Sequence, residues 1–255
     1  MLKNERQAAL LDLCSENGSV SVRQVVSALG VSEMTARRDF DDLARAGKVA
    51  RVHGGIRSIS HAATPAYSER SYSDKLALHV PQKRAIGQTS ASLIEEHDTV
   101  FIGSGSTCNA IAASLPPVTL RVVTNSLLVF NTLAPVENVE LCMVSGCHRQ
   151  RSASIVGPIA EEMVSTLGID KCFIGANGVM GSVASTSNID EGRLQALAYS
   201  RSAARYLVVD SSKLGQMDFY NFYNLDRLDA LVTDDGAQPE QLESIREHTH
   251  VIIAR

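Results

Sequence analysis

Apolar side chains at the start of the chain recur at helical spacing in three short runs separated by small polar residues. Ala8, Ala9, Leu10, Leu11 and Leu13 form one stripe of a helix over 5–17, which Asn17 and Gly18 stop because both tolerate left-handed backbone angles. Ser21 caps a second helix with Val22, Val25, Val26 and Leu29 turned inward, and Gly30 makes the turn that follows. Ser32 caps a third helix from 33 to about 46, whose inner side is Ala36, Phe40 and Leu43 and whose end is Gly47. Residues 48–52 and 56–57 flank His53-Gly54-Gly55, the pattern of two strands joined by a tight turn. Two short helices, a glycine turn, a third helix and a hairpin make a winged helix-turn-helix over 1–57.

The period then fails. Residues 58–82 mix Ser, Ala, Pro and charges and read as a linker. From Lys83 to the end, helical runs alternate with short apolar ones at 99–102, 120–123, 139–144, 171–174, 205–209, 230–233 and 251–254. Strands alternating with helices predict an α/β domain over 83–255 with a doubly wound, mostly parallel sheet. Such sheets take ligands in the loops that leave the carboxyl ends of their strands.

Composition narrows the function classes. Over 255 residues, 44% hydrophobic and 20% charged content excludes wholesale disorder. No apolar run reaches the roughly 18 residues of a membrane span, and MLKNERQAAL carries charges where a secretory leader needs an apolar stretch. Five cysteines, an odd number without a CxxC pair, give neither a disulfide framework nor a zinc site, and the seven histidines form no metal set. The expectation is a reduced, cytoplasmic protein with no metal and no cofactor. A net charge of −4 argues against nucleic acid until the chain is divided. Residues 1–57 hold nine Lys and Arg against seven Asp and Glu, so the acidic excess lies entirely in the remainder. That asymmetry suits a DNA-contacting head on a body that needs no polyanion.

The candidate chemistry falls in two places. On the third helix Ser32, Thr35, Arg37 and Arg38 occupy the first turns, where a recognition helix meets base edges and phosphates. Arg51 and Arg57 on the wing, with His53 at its turn, lie where a phosphate backbone would run. The plainer alternative is a small helical interaction domain whose arginines are merely solvated. In the second domain, Ile102 leads into Gly103-Ser104-Gly105-Ser106-Thr107 at a helix start, with free amides, close-approach glycines and hydroxyls suited to a phosphate. A dinucleotide fingerprint would need glycine where Cys108 stands. Further polar loops follow as Thr124-Asn125-Ser126, 145–149, 175–178 and 210–215, the last offering Lys213. Each alone is ordinary turn chemistry; five at strand ends make an anion-binding cleft.

The stretch VSVRQVVSALGVSEMTARRDFDDLARAGKVARVHGG resembles the winged-helix head of the DeoR family of bacterial transcriptional regulators. GSGST, VTNSL, SIVGP, DKCFIGANGV, VVDSSKLG and ALVTD, in that order, resemble the family's effector-sensing domain, so the likeness covers nearly the whole chain. It implies a sensor similar to the ribose-5-phosphate isomerase and CoA-transferase fold that binds a phosphorylated sugar or related metabolite. By the same resemblance Ser104, Gly105, Ser106 and Thr107 cradle the effector phosphate, with Thr124, Asn125 and Lys213 nearby. The partners implied are double-stranded operator DNA and a second copy or more of the chain, a homodimer or homotetramer; the role implied is repression of a carbohydrate operon. The chain departs from the family's habit at Gly103, where aspartate is common, at Ser145 and Cys147, where a glycine is common, and near Leu194-Gln195, where a lysine is common.

A catalytic reading needs a carboxylate to move a proton between adjacent carbons. Ile174 and Asn177 stand where the isomerase keeps its acids, and no GxSxG elbow supports a serine nucleophile. No catalytic residue is expected. The alternative, an isomerase-like enzyme with an appended helix-turn-helix, predicts sugar-phosphate turnover and no salt-dependent DNA affinity.

Overall fold

Ser21 and Ser32 start their helices as the sequence requires. The Ser21 hydroxyl accepts the Gln24 N–H while the Gln24 side chain accepts the Ser21 N–H, a closed capping box. In the computed structural model, residues 3–17, 19–46, 48–52, 55–58 and 72–255 are described, and the chain divides into two units, Met1–Glu69 and Arg70–Arg255.

The first unit contains α1 (Lys3–Asn17), β1 (Ser19–Ser21), α2 (Val22–Leu29), α3 (Glu33–Arg45), β2 (Val49–Val52) and β3 (Gly55–Ser58). Its core is Leu10, Cys14, Val25, Ala36, Phe40, Leu43 and Ile56, the inward positions of the three helices and the wing. The hairpin gains a third strand that the sequence pattern does not show: β1 pairs with β3 antiparallel, Val20 opposite Ile56, giving the order β1-β3-β2. A three-residue strand is too short to display alternation. Gly55 permits the pairing, since a Cβ there would fall 2.4 Å from the Val20 carbonyl oxygen. The expected stops at Gly18 and Gly47 and the turn residues His53 and Gly54 lie outside the described residues.

The second unit is built on seven parallel strands in the order β15-β14-β12-β9-β4-β5-β6. These are β4 (Thr99–Ile102), β5 (Leu120–Thr124), β6 (Val139–Met143), β9 (Ile169–Ile174), β12 (Ser202–Val208), β14 (Ala230–Asp234) and β15 (Val251–Ala254). Helices α4 (Tyr72–Leu76), α5 (Val80–Ala91), α6 (Ser106–Ala112), α7 (Leu127–Leu133), α8 (Pro158–Ser165), α9 (Ile189–Ser200) and α10 (Pro239–Arg246) accompany the sheet. Two buried clusters form its core, one around Phe101, Ile174, Leu194 and Leu207, the other around Ile86, Val100, Ile102, Ile111 and Phe173. Successive residues of one strand divide between the clusters, as a sheet covered on both faces requires.

Two smaller pieces escape the sequence pattern: the hairpin β7 (Cys147–Arg149) with β8 (Ser154–Val156), and an antiparallel sheet of β10 (Gly178–Met180), β11 (Val183–Thr186) and β13 (Tyr220–Asn224). The aromatic run after the 210–215 loop serves packing: Phe222 is buried in β13 and the Tyr223 ring lies 4.6 Å from that of Tyr199. Residues 72–82, which the sequence pattern places in the linker, are instead α4 and the start of α5. Five residues are too few to show a helical period, and Pro81 sits in the first turn of α5, where a proline costs nothing. The buried Lys83 ammonium fastens this segment by donating to the Lys75 and Leu78 carbonyl oxygens at 2.5 and 2.6 Å. The remaining linker, 59–71, lies outside the described residues.

Candidate DNA-reading face and effector cleft

On α3 the Ser32 hydroxyl caps the helix by accepting the Thr35 N–H at 3.2 Å and shares a 2.9 Å hydrogen bond with the Thr35 hydroxyl. Ala36, Asp39, Phe40 and Leu43 face inward. Glu33, Met34, Arg37, Arg38, Asp41 and Arg45 are exposed. Asp39, Asp41 and Asp42 follow the two arginines closely in sequence, and a cluster of acids there would repel DNA. The fold answers each acid with a cation from elsewhere. Asp39, 2% exposed, takes Arg6 of α1 in a two-pronged contact at 2.5 and 3.1 Å; the hydrogen bond to Asp39 raises the Arg6 pKa further. Asp41 takes Arg51 at 2.8 Å, and Asp42 takes Lys3 at 2.6 Å and Arg45 at 2.5 Å. Arg37 keeps only a loose 3.7 Å approach to Glu33, and Arg38 makes no ion pair among the described residues.

Arg51 is engaged differently from the sequence expectation. Besides Asp41, its guanidinium donates to the Gly55 carbonyl at 2.9 Å and sits 5.4 Å over the Phe40 ring. It ties the wing to α3, and any phosphate must compete with those partners. His53 and the side chain of Arg57 lie outside the described residues. Sequence reasoning passed over Arg6, which pairs with the inward side of α3, and Met34, which stands on its exposed side. A basic residue one turn ahead of an apolar stripe carries no signal of a partner 33 positions away.

In the second unit the connection from β4 leads through α6 to β5 on one side, while β9 lies against the other edge of β4. Strand order therefore reverses between β4 and β9, and it is outside the carboxyl ends of strands at such a reversal that sheets of this kind take ligands. Ile102 is paired with Thr124 on one side and Phe173 on the other. The 103–107 loop lies there. Gly105 has φ 121 and ψ 159, a conformation essentially limited to glycine, and no atom lies within 4 Å of where a Cβ would be. No side chain caps α6, and no side-chain hydrogen bond among the described residues engages the Ser104, Ser106 or Thr107 hydroxyls.

Thr124 departs from its expected role as an effector contact. Its buried hydroxyl donates to the Ile102 carbonyl at 2.7 Å and accepts the Ser126 N–H at 3.0 Å, so it holds the β4 and β5 ends together and has nothing left for a ligand's acceptor. Asn125, 4% exposed, donates to the Ile155 carbonyl and leaves its Oδ1 buried without a partner. Next to Ile155, Ser154 donates to buried Glu191 at 3.0 Å, and Arg149 reaches the same carboxylate at 3.3 Å. One turn beyond Glu191 on α9, buried Gln195 also has an unpartnered Oε1. The Tyr72 hydroxyl of α4 is a third such group; burial raises it to about 12.

Cations gather at the ends of β9 and β12. Lys75 of α4 donates to the Asn177 side-chain oxygen at 3.0 Å, and Asn177 donates to Asp218 at 2.8 Å. Lys213 stands in the short turn Ser211–Lys213, which Asp210 caps. Burial holds the Lys83 pKa below the ordinary lysine value; Asp210 counters this, while Lys213 and Lys75 add to it. Lys213 is among the residues the sequence singles out; Lys75 is not, because the five residues of α4 are too few to show a period.

Residues 6–62 match the family described as the DeoR-like helix-turn-helix domain, and residues 78–235 match the DeoR C terminal sensor domain. The chain belongs to the DeoR family. The lactose phosphotransferase system repressor of Streptococcus mutans is 35% identical over 254 residues, covering 99% of this chain and 100% of that protein. The repressor of the same name from Staphylococcus aureus is 34% identical over the same span. Among solved structures, the full-length sorbitol operon regulator SorC from Klebsiella pneumoniae is a distant likeness, with a TM-score of 0.41 and 11% identity over 94% of this chain and 97% of that one.

A DeoR protein joins a DNA-binding head to a sensor domain and is a regulator rather than an enzyme, which sets the isomerase-like alternative aside. Among the described residues, no group of three or more His, Cys, Asp or Glu side chains is placed to hold a metal ion, and no helix is long and apolar enough to cross a membrane. Cys108, directly behind the 103–107 loop, is buried with its thiol pushed up to about 12. A thiol held protonated by burial is a poor nucleophile. In this DeoR regulator, iodoacetamide at pH 8 is therefore expected to modify exposed Cys147 first and to reach buried Cys14, Cys108 and Cys172 only after unfolding. Peptide mapping of the native and denatured protein checks the order.

Proposed function

We propose that this DeoR regulator represses a sugar-utilisation operon and that a phosphorylated sugar, bound at the carboxyl ends of β4, β5, β9 and β12, controls its operator affinity. The observation that carries the reading is the 103–107 loop at the end of β4, whose side-chain hydroxyls are unengaged, together with Lys75 and Lys213, which lie near enough to Lys83 to act on its charge. Uncapped amides, hydroxyls and ammonium groups together suit a dianionic phosphate. The names of the curated relatives, repressors of a lactose phosphotransferase system, support the pathway class.

On this reading Arg37 and Arg38, with Thr35 and Ser32 at the helix start, enter the major groove, while Arg51 meets the phosphate backbone from the wing. A two-fold operator calls for a homodimer or homotetramer. Tyr72 and Lys75 stand just after the linker, so effector binding acts on the segment that leads to the head. A coupling of about 1–3 kcal/mol between effector and operator affinity is sufficient for control.

Thr107→Val tests the cleft. Operator affinity should stay at the wild-type value, while the concentration of sugar phosphate needed to release DNA rises about 10- to 100-fold, the range for losing a hydrogen bond to a charged group. Fluorescence anisotropy with a panel of hexose and pentose phosphates reads both. A variant that responds like wild type to the effective phosphate would remove Thr107 from the cradle.

A further inference from the structure

Among the described residues of the head, Met34 is the one large hydrophobic side chain left exposed. On α3, Ala36 and Phe40 are fully buried and Leu43 nearly so, whereas Met34 is 80% exposed, more than any other large hydrophobic residue described. It is the second residue of the helix, and Arg37 and Arg38 lie three and four positions on. At that spacing the three side chains share one face. Nothing in the packing of the head calls for an apolar group there.

The reading of α3 as the recognition helix, on which this inference rests, puts its first turn against the edges of base pairs in the major groove. Those edges carry hydrogen-bond donors and acceptors and a single apolar group, the C5-methyl of thymine. A flexible thioether side chain cannot satisfy the donors and acceptors, and over them it would exclude water without replacing its hydrogen bonds. Over a thymine methyl it buries apolar surface on both sides. We propose that Met34 is a specificity-determining residue that reads a thymine C5-methyl in each half-site, beside the contacts made by Arg37 and Arg38.

Duplex DNA enriched from a random-sequence pool by the wild-type protein supplies the probe. The enriched sequence should hold a thymine that is no longer selected when Met34→Ala is used instead. Replacing that thymine with deoxyuridine removes only the methyl group. This should weaken wild-type binding about 4-fold per half-site, the value of one buried methyl-sized group, and leave Met34→Ala binding unchanged. Met34→Leu should keep the sensitivity to the methyl, and Met34→Gln should shift the preference toward adenine, which glutamine pairs through two hydrogen bonds. An exposed helical position tolerates all three, and far-ultraviolet circular dichroism checks their fold. The inference is overturned if deoxyuridine costs wild type and Met34→Ala equally, or if Met34→Ala selects the wild-type sequence unchanged. If Met34→Ala alters the oligomeric state but not the selected sequence, Met34 is a contact between copies and the inference again falls. If Arg38→Ala also selects that sequence with wild-type affinity, the recognition-helix reading itself fails, and Met34 goes with it.

Discussion

Arg6→Met is expected to abolish operator binding, although Arg6 lies on α1 and not on α3. Its guanidinium is the two-pronged partner of Asp39, whose side chain is 3% exposed. Removing it leaves a carboxylate buried between α1 and α3 with no counter-charge, a change that costs about 3–5 kcal/mol. A unit of this size holds few kcal/mol in reserve, so the head should unfold while the sensor unit keeps its own cores. Denaturant titration should show an early transition absent from the wild type, with sugar-phosphate binding retained. The double replacement Arg6→Met with Asp39→Leu removes both charges and should recover much of the lost stability. A single variant with wild-type head stability would show that the pair contributes nothing.

Arg38→Ala should weaken operator binding about 5- to 150-fold, the range of 1–3 kcal/mol for one specific arginine contact, with no change in unfolding. That contrast separates it from Arg6→Met, since Arg38 is exposed and makes no ion pair or hydrogen bond through its side chain among the described residues. If the contact is to a phosphate, the loss should be uniform across sequences and the salt slope should fall by about one; if it is to guanine, preference at one position should relax. Binding isotherms at several salt concentrations, on the selected operator and its single-base variants, read both. Effector binding should be untouched. Unaltered affinity would contradict the placement of α3 in the groove.

The contrast between Arg6 and Arg38 also marks where the sequence is legible. Arg38 can be placed from sequence because caps, turn and basic face are local features of one helix, and the inward residues Ala36, Phe40 and Leu43 fix which side is exposed. Asp39 could not be placed from the same pattern: polar by type, it reads as surface, and only the long-range contact with Arg6 makes it core. The parallel sheet was legible because its strands are apolar runs separated by helical ones. The strands β1, β7, β8 and β10 were not, since three residues hold no period. The polar loops at the strand ends, with Asn125 and Lys213 in them, were legible as loops, but hydrogen-bond saturation is invisible in sequence. Thr124, chosen for its hydroxyl, spends that hydroxyl on Ile102 and Ser126. Lys75, hidden in a stretch that looked like linker, stands beside Asn177.

The most direct test of the account is to titrate the protein against the DNA upstream of its own gene and against a scrambled fragment, over a range of salt concentrations, with and without a panel of sugar phosphates. The expected result is preference for the native fragment, affinity that falls steeply as salt rises, and release by a sugar phosphate but not by its unphosphorylated sugar. Equal, weak binding to both fragments under every condition, together with turnover of a sugar phosphate, would contradict it.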